Sequence, residues 1–287
     1  MTGADVRRVG VVGLGTMGAG IAQVCMQAGV ETVGREVTVE LCDRARERIA
    51  HYLGRGVEKG RLTEEERDAA LARLTTTTDL ADLAGSDLVI EAVVEEPDVK
   101  RELFRELEGI VGEEAVLATN TSALSVTEIA RATQRPERVV GMHFFNPAPV
   151  LPLVEVVRTE LSSEQAVETA YGFAERVGKE PIRCSDTPGF VVNRILIPLL
   201  NDCVRVLDEA GVSPEDLDKA ITRGVNWPIG PCALLDLIGI DIHVHASEAI
   251  HAALGEARMA PPERLVRMRD EGLLGRKSGR GFFAYGG

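Results

Sequence analysis

The chain has no apolar run long enough to span a bilayer, because Phe190 to Leu200 is interrupted by Asn193, Arg194 and Pro198. It has no C-x-x-C spacing. Its five cysteines, Cys25, Cys42, Cys184, Cys203 and Cys232, are scattered and odd in number, which argues against a disulfide framework and for reduced thiols in a cytoplasm. Basic excess is also missing: 32 Lys and Arg stand against 45 Asp and Glu, a formal charge of −13, so neither nucleic acid nor an anionic membrane is expected as a partner. An acidic ligand would have to be held by a local basic cluster. Met1 to Arg8 run straight into the first apolar strand, so no signal peptide is expected. There is no internal repeat and no low-complexity tract. What is present is 287 residues at 45% hydrophobic content, ample for a large core and enough for two domains.

The run Val9 to Val12 is apolar and β-branched, as a parallel strand buried on both faces requires. It breaks at glycine. Gly13-Leu14-Gly15-Thr16-Met17-Gly18 satisfies G-x-G-x-x-G: one glycine for the tight turn, one for backbone approach to a pyrophosphate, one for close helix-on-strand contact. A helix over 19–28 then aims its free N–H groups and dipole at a diphosphate, and Gly29 ends it. With glycine at 29 of 287 residues the motif alone is weak; its place between a strand and a helix makes it a dinucleotide site.

Two readings compete in the next stretch. In one, the second strand is Val37 to Leu41 and Asp43 is the ribose carboxylate. In the other, the strand is Glu31 to Gly34, Glu36 is that carboxylate, and a helix follows with Thr38 as its N-cap. The second is favoured, because it aligns Val37, Leu41, Ala45, Ile49, Leu53 and Val57 on one helical stripe and sets Glu36 18 residues beyond Gly18, near the spacing of about 20 expected for the ribose acid. Further strands are predicted at Thr75 to Thr78, Asp87 to Val94, Ala115 to Thr119, Val139 to Phe145 and Leu153 to Val157. Helices are predicted from Thr63, over Pro97 to Ile110, and after Ser125 or Thr127. The alternation implies a doubly wound α/β sheet of Rossmann type, in which the later strands can run antiparallel. From Asp186 helical periodicity takes over, in Val191 to Glu209, Pro214 to Arg223, Ala233 to Leu254 and Pro262 to Glu271. The expectation is a dinucleotide-binding domain over 1–185 and an all-α domain over 186–287.

His143 lies at the carboxyl end of a predicted strand, where open α/β sheets place ligands. Glu155 follows 12 residues later in an apolar strand, where a carboxylate is costly without a partner. The turn at Pro147-Ala148-Pro149 would bring the two together, either as a base oriented by an acid or as a structural ion pair; spacing does not choose. Ser122, after the strand ending at Thr119, is either a hydroxyl aimed at substrate or part of a plain turn. Asn193, in the first turn of a helix, is either a donor to a carbonyl or a local cap. His243, His245 and His251 share a helix without carboxylate or cysteine at ligand spacing, so packing is preferred and no metal is expected.

Together, Gly13 to Gly18, Ile90 to Glu95, Asn120-Thr121-Ser122, His143-Phe144-Phe145-Asn146-Pro147 and Asp186 to Arg194 resemble the short-chain L-3-hydroxyacyl-CoA dehydrogenases, 3-hydroxybutyryl-CoA dehydrogenases included. Pro228 to Pro231 and Gly275 to Phe283 extend the resemblance across nearly the whole chain. It implies His143 as catalytic base, Glu155 as its partner, and Ser122 and Asn193 as the substrate-contacting pair. It also implies NAD contacts from Gly13, Leu14, Gly15, Thr16, Met17, Gly18, Glu36, Glu95, Lys100, Ser122, Asn146 and Lys277, and a contact from Lys59 to the CoA part of the thioester, with Arg55 and Arg61 adding charge. The likeness departs at Glu36, where relatives usually carry aspartate, at Tyr52, where some have a polar residue near CoA, and at Asn226-Trp227. An acyl-carrier-protein thioester is the alternative substrate, and a non-catalytic NAD-binding protein the alternative class. A homodimer through the helical domain is expected from the resemblance and from its surplus apolar surface.

Overall fold

The computed structural model describes residues 2–286. Contacts divide the chain into Met1–Thr187 and Pro188–Gly287, two residues beyond the boundary expected at 185.

The first unit runs β1 (Arg8–Val12), α1 (Thr16–Gln27), β2 (Glu31–Arg35), α2 (Val39–Glu58), α3 (Glu64–Leu71), β3 (Leu74–Thr77), β4 (Leu88–Glu91), α4 (Pro97–Ile110), β5 (Val116–Thr119), α5 (Val126–Ala130), β6 (Val139–Phe144), β7 (Leu153–Arg158), α6 (Glu164–Arg176) and β8 (Glu180–Ser185). One eight-stranded sheet has the order β3-β2-β1-β4-β5-β6-β7-β8. Every pair from β3 to β6 is parallel, β7 is antiparallel to β6, and β8 is parallel to β7. The carboxyl ends of β1 to β6 therefore share one edge, the edge at which doubly wound sheets bind ligands. Alternate residues of the central strands, such as Val9, Ile90, Ala118, Met142 and Val156, form one core with Ile21 and Cys25 of α1, Ile49 and Leu53 of α2, and Ala170 and Phe173 of α6. Leu103, Phe104 and Leu107 of α4 are buried outside that core, on the other face.

The second strand is the one ending before Glu36, not Val37 to Leu41. Thr38 caps α2 by accepting from Leu41 N–H, and Thr63 with Glu66 makes a capping box on α3. Because α2 begins at Val39, the expected stripe loses its first members: Val37 is exposed and Cys42 is buried in place of Leu41. The strand expected over Asp87 to Val94 stops at Glu91, since Val93 N–H turns back to the Glu91 carboxylate at 2.7 Å instead of continuing the ladder. Ser125 caps α5, and Asp186 reinforces the same helix end by accepting from Val126 and Thr127 N–H at 3.2 and 2.7 Å. Helix α6 and strand β8 fall in a stretch for which the sequence suggested no element.

The second unit is helical: α7 (Val192–Ala210), α8 (Pro214–Gly224), α9 (Pro231–Ile238), α10 (Ile240–Leu254) and α11 (Glu263–Asp270), with Leu200, Val204, Leu235, Ile240, Val244 and Leu265 in its core. The single helix expected over Ala233 to Leu254 is two. Gly239 sits between them at φ +103°, a backbone conformation open to glycine and strained for other residues.

Candidate active site

The glycine loop closes β1 onto α1. Gly13 has φ +84° and a Cβ there would stand 2.8 Å from Ala92 O; a Cβ on Gly18 would stand 1.7 Å from Gly13 O. Gly15 differs. A Cβ there meets no protein atom within 4 Å, so its absence leaves open space beside the start of α1, which has no side-chain cap and no acidic residue in its first turn. Uncapped N–H groups facing open space suit a diphosphate. Glu36, one residue past β2, accepts from Leu14 N–H at 2.7 Å and so holds its carboxylate against the loop. These residues fit a dinucleotide, with the loop on the phosphates and Glu36 on a ribose.

At the same edge of the sheet, His143 and Glu155 are directly opposed in the β6–β7 register, and His143 Nδ1 lies 2.7 Å from Glu155 Oε2. Both are buried, Glu155 completely. By strand alternation they project from the face opposite the α1–α6 core. An ionised carboxylate only accepts, so Nδ1 carries the proton and Nε2 is the nitrogen with a lone pair. The Phe145 ring packs on the imidazole at a 4.5 Å centroid distance.

A second buried charge cluster lies beside it. Lys100 of α4 donates to Glu91 of β4 at 2.6 Å and pairs with Glu95 at 3.1 Å; Lys100 and Glu91 are essentially sealed from solvent. Glu91 also accepts from the Thr119 hydroxyl at 2.7 Å, while Glu95 accepts from the Thr121 hydroxyl and Ser122 N–H at 2.5 and 2.9 Å. Burial alone would raise the Glu95 carboxyl, but the Lys100 ammonium and these donors outweigh it and hold it below the usual carboxylate value. Lys100 is thus committed to two carboxylates, and Ser122 is anchored through Glu95. Glu91, Thr119 and Thr121 had not been singled out. Glu91 carried the same signal as Glu155, a carboxylate inside an apolar run.

A cavity of about 620 Å³ opens between α1, α2 and the 146–150 turn. Its apolar wall includes Ile49, Leu62 and Pro149. Arg48, Arg55, Lys59 and Arg61 also line it, together with Tyr52 and Asn146, and no carboxylate does. None of those four cations forms an ion pair among the described residues, although half of the arginines elsewhere do. The second unit carries the two remaining expected residues. Asn193 stands in the first turn of α7, and Lys277 pairs with Asp241 at 2.6 Å. Of the three histidines on α10, His243 is buried against Asn201 at 2.9 Å, His245 is exposed, and His251 meets Glu256 O at 3.0 Å.

A glycine loop on a doubly wound sheet, with a carboxylate-backed imidazole at the same edge, defines a dinucleotide-dependent oxidoreductase as a class. The model for the 3-hydroxyacyl-CoA dehydrogenase NAD binding domain matches residues 8–187, and that for the 3-hydroxyacyl-CoA dehydrogenase C-terminal domain matches residues 189–285. The chain is 48% identical to a 3-hydroxybutyryl-CoA dehydrogenase of Mycobacterium tuberculosis over 98% of its own length and 99% of the relative's. It superposes with a TM-score of 0.94, at 40% identity, on the crystal structure of (S)-3-hydroxybutyryl-CoA dehydrogenase from Ralstonia eutropha, covering 99% of this chain and all of that one. The chain belongs to the 3-hydroxyacyl-CoA dehydrogenase family, whose members are NAD-dependent enzymes. Among the described residues, no helix is long and apolar enough to cross a membrane.

Proposed function

We propose that the chain interconverts a short-chain L-3-hydroxyacyl-CoA, 3-hydroxybutyryl-CoA or a near analogue, with the 3-oxoacyl-CoA. The observation that carries this reading is the His143–Glu155 pair at 2.7 Å on the edge of the sheet that bears the glycine loop. NAD, when bound, supplies the hydride acceptor. His143 Nε2 takes the proton of the 3-hydroxyl as the carbon-bound hydrogen leaves, and Glu155 stabilises the imidazolium so formed. Ser122 and Asn193 orient the hydroxyl and the thioester carbonyl. Glu36 binds the adenosine ribose and repels a 2′-phosphate; Glu95, Ser122, Asn146 and Lys277 complete the cofactor contacts, with Lys100 acting through Glu95.

The four unpaired cations of the cavity support a CoA thioester over one on acyl-carrier protein, because free CoA ends in three phosphate groups and the carrier arm in one. Lys59, Arg55 and Arg61 hold the nucleotide end. Five free cysteines agree with a cytoplasmic enzyme, and the exposed Ile195, Leu199 and Val206 along α7 agree with a homodimer through the second unit. A thioester panel read by loss of reduced-cofactor absorbance tests the reading. The expected result is turnover of 3-oxobutyryl-CoA with NADH, with much slower turnover of the same acyl group on acyl-carrier protein or with NADPH. Equal rates on CoA and carrier would refute the carrier assignment.

A further inference from the structure

We infer that Asn120 is a positioning residue that sets His143 against Ser122; this rests on the reading just given, in which those two side chains meet substrate. The ladder between β5 and β6 ends with Thr119 opposite Gly141, three residues short of the end of β6. Beyond it, among the described residues, β6 has strand partners only in β7. Asn120 replaces the missing strand: its side-chain oxygen accepts from Phe144 N–H at 2.9 Å, on the residue that follows His143. Only the carbonyl oxygen of the amide can accept from an N–H, so this bond fixes the orientation of the side chain. Phe144 is 2% exposed, and without Asn120 its N–H would lie buried and without this acceptor.

The same three-residue turn is gripped at every position. Asn120 N–H donates to Glu91 O at 2.8 Å, and Thr121 and Ser122 are tied to Glu95. Ser122 is therefore fixed to β4 and α4 through the Glu91–Lys100–Glu95 cluster, and His143 is fixed to β7 through Glu155. Asn120 ties the turn that carries Ser122 to the strand that carries His143. Misplacement of a reacting group by about 1 Å costs on the order of 100-fold in rate, so this bond matters to the chemistry more than to the fold.

The test uses the full chain carrying Asn120→Ala, Asn120→Ser, which keeps polarity but is too short to reach, and Asn120→Asp, which keeps an acceptor for Phe144 N–H. Steady-state rates with 3-oxobutyryl-CoA and NADH are measured beside hydrogen exchange at the Phe144 amide. For Asn120→Ala and Asn120→Ser, kcat should fall on the order of 10- to 100-fold with both KM values little changed. Exchange at Phe144 should accelerate at least about tenfold, the loss of one protecting hydrogen bond. Asn120→Asp should restore protection and most of kcat. Loss of Phe144 protection with kcat unchanged would overturn the positioning role, as would Phe144 protected as before in Asn120→Ser. A wild-type chain inert toward the thioester, with Phe144 still deprotected by Asn120→Ala, would instead sink the dehydrogenase reading and the positioning role of Asn120 with it.

Discussion

Two carboxylates in this chain are completely buried inside apolar strands, Glu91 and Glu155, and each is explained by what it faces. Glu155 faces an imidazole across one antiparallel rung; Glu91 faces the ammonium of Lys100. Removing one partner of such a pair leaves an uncompensated buried charge, at a cost of about 3–5 kcal/mol. Lys100→Met should accordingly lower the melting temperature by about 10 °C, and calorimetry of the variant checks it; a melting point within a degree of wild type would show that Glu91 is satisfied without Lys100. Glu36 makes a different prediction, about selectivity. Its carboxylate sits on Leu14 N–H at the edge of the glycine loop, where a 2′-phosphate would meet like charge. Glu36→Ala should shift the ratio of NADH to NADPH efficiency toward NADPH by on the order of tenfold, about 1.4 kcal/mol. An unchanged ratio would contradict a ribose role for Glu36.

At the level of elements, the α1 segment separates fold from function. Gly18→Ala would force a Cβ against Gly13 O and should unfold the loop. Gly15→Ala meets open space at φ −60° and should leave the melting temperature alone while weakening NADH binding, measured by fluorescence titration. Equal NADH affinity in Gly15→Ala would place the diphosphate elsewhere. The α7–α10 contact carries a pH dependence. Asn201 uses its amide nitrogen on backbone carbonyls, so its oxygen accepts from His243 Nε2, leaving Nδ1 as a buried lone pair without a partner among the described residues. Burial pushes the His243 imidazole down to about 4 from an ordinary value near 6.5. The unfolded chain therefore binds the proton first: stability is full above about pH 6.5 and falls as pH drops toward 4, by roughly 3 kcal/mol in all. Melting curves between pH 7 and 4.5 should show a slope that His243→Gln flattens.

Elements also show what a sequence can and cannot disclose. Helix α4 was readable to the residue because Pro97 opens it and its apolar stripe is clean. The break at Gly239 was not, because Ala233 to Leu254 keeps helical periodicity through a glycine whose positive φ only tertiary packing reveals. The His143–Glu155 pairing was half legible: each residue stood out by type and place, but their contact depends on the register of two strands joined by an eight-residue connection, between Phe144 and Leu153. Asn120 was invisible as a functional residue, since its role is a side-chain bond to a backbone group 24 positions away.

Across the whole molecule, charge is distributed against the average. A chain with a formal charge of −13 gathers around one cavity four cations that have no ion-pair partner among the described residues, and no described carboxylate lines it. Arg55→Ala and Lys59→Ala should each raise KM for a CoA thioester several-fold, about 1 kcal/mol, with KM for NADH unmoved, and the penalty should shrink as salt is added. Equal effects on both substrates would mean that the cavity serves the cofactor. The central claim is narrower: that proton transfer runs through His143 backed by Glu155. Its most direct test is the turnover of 3-oxobutyryl-CoA by His143→Gln and Glu155→Gln, with NADH binding measured on the same samples. Rates 10²- to 10⁴-fold below wild type with NADH affinity intact are predicted; rates within a few-fold of wild type would contradict it.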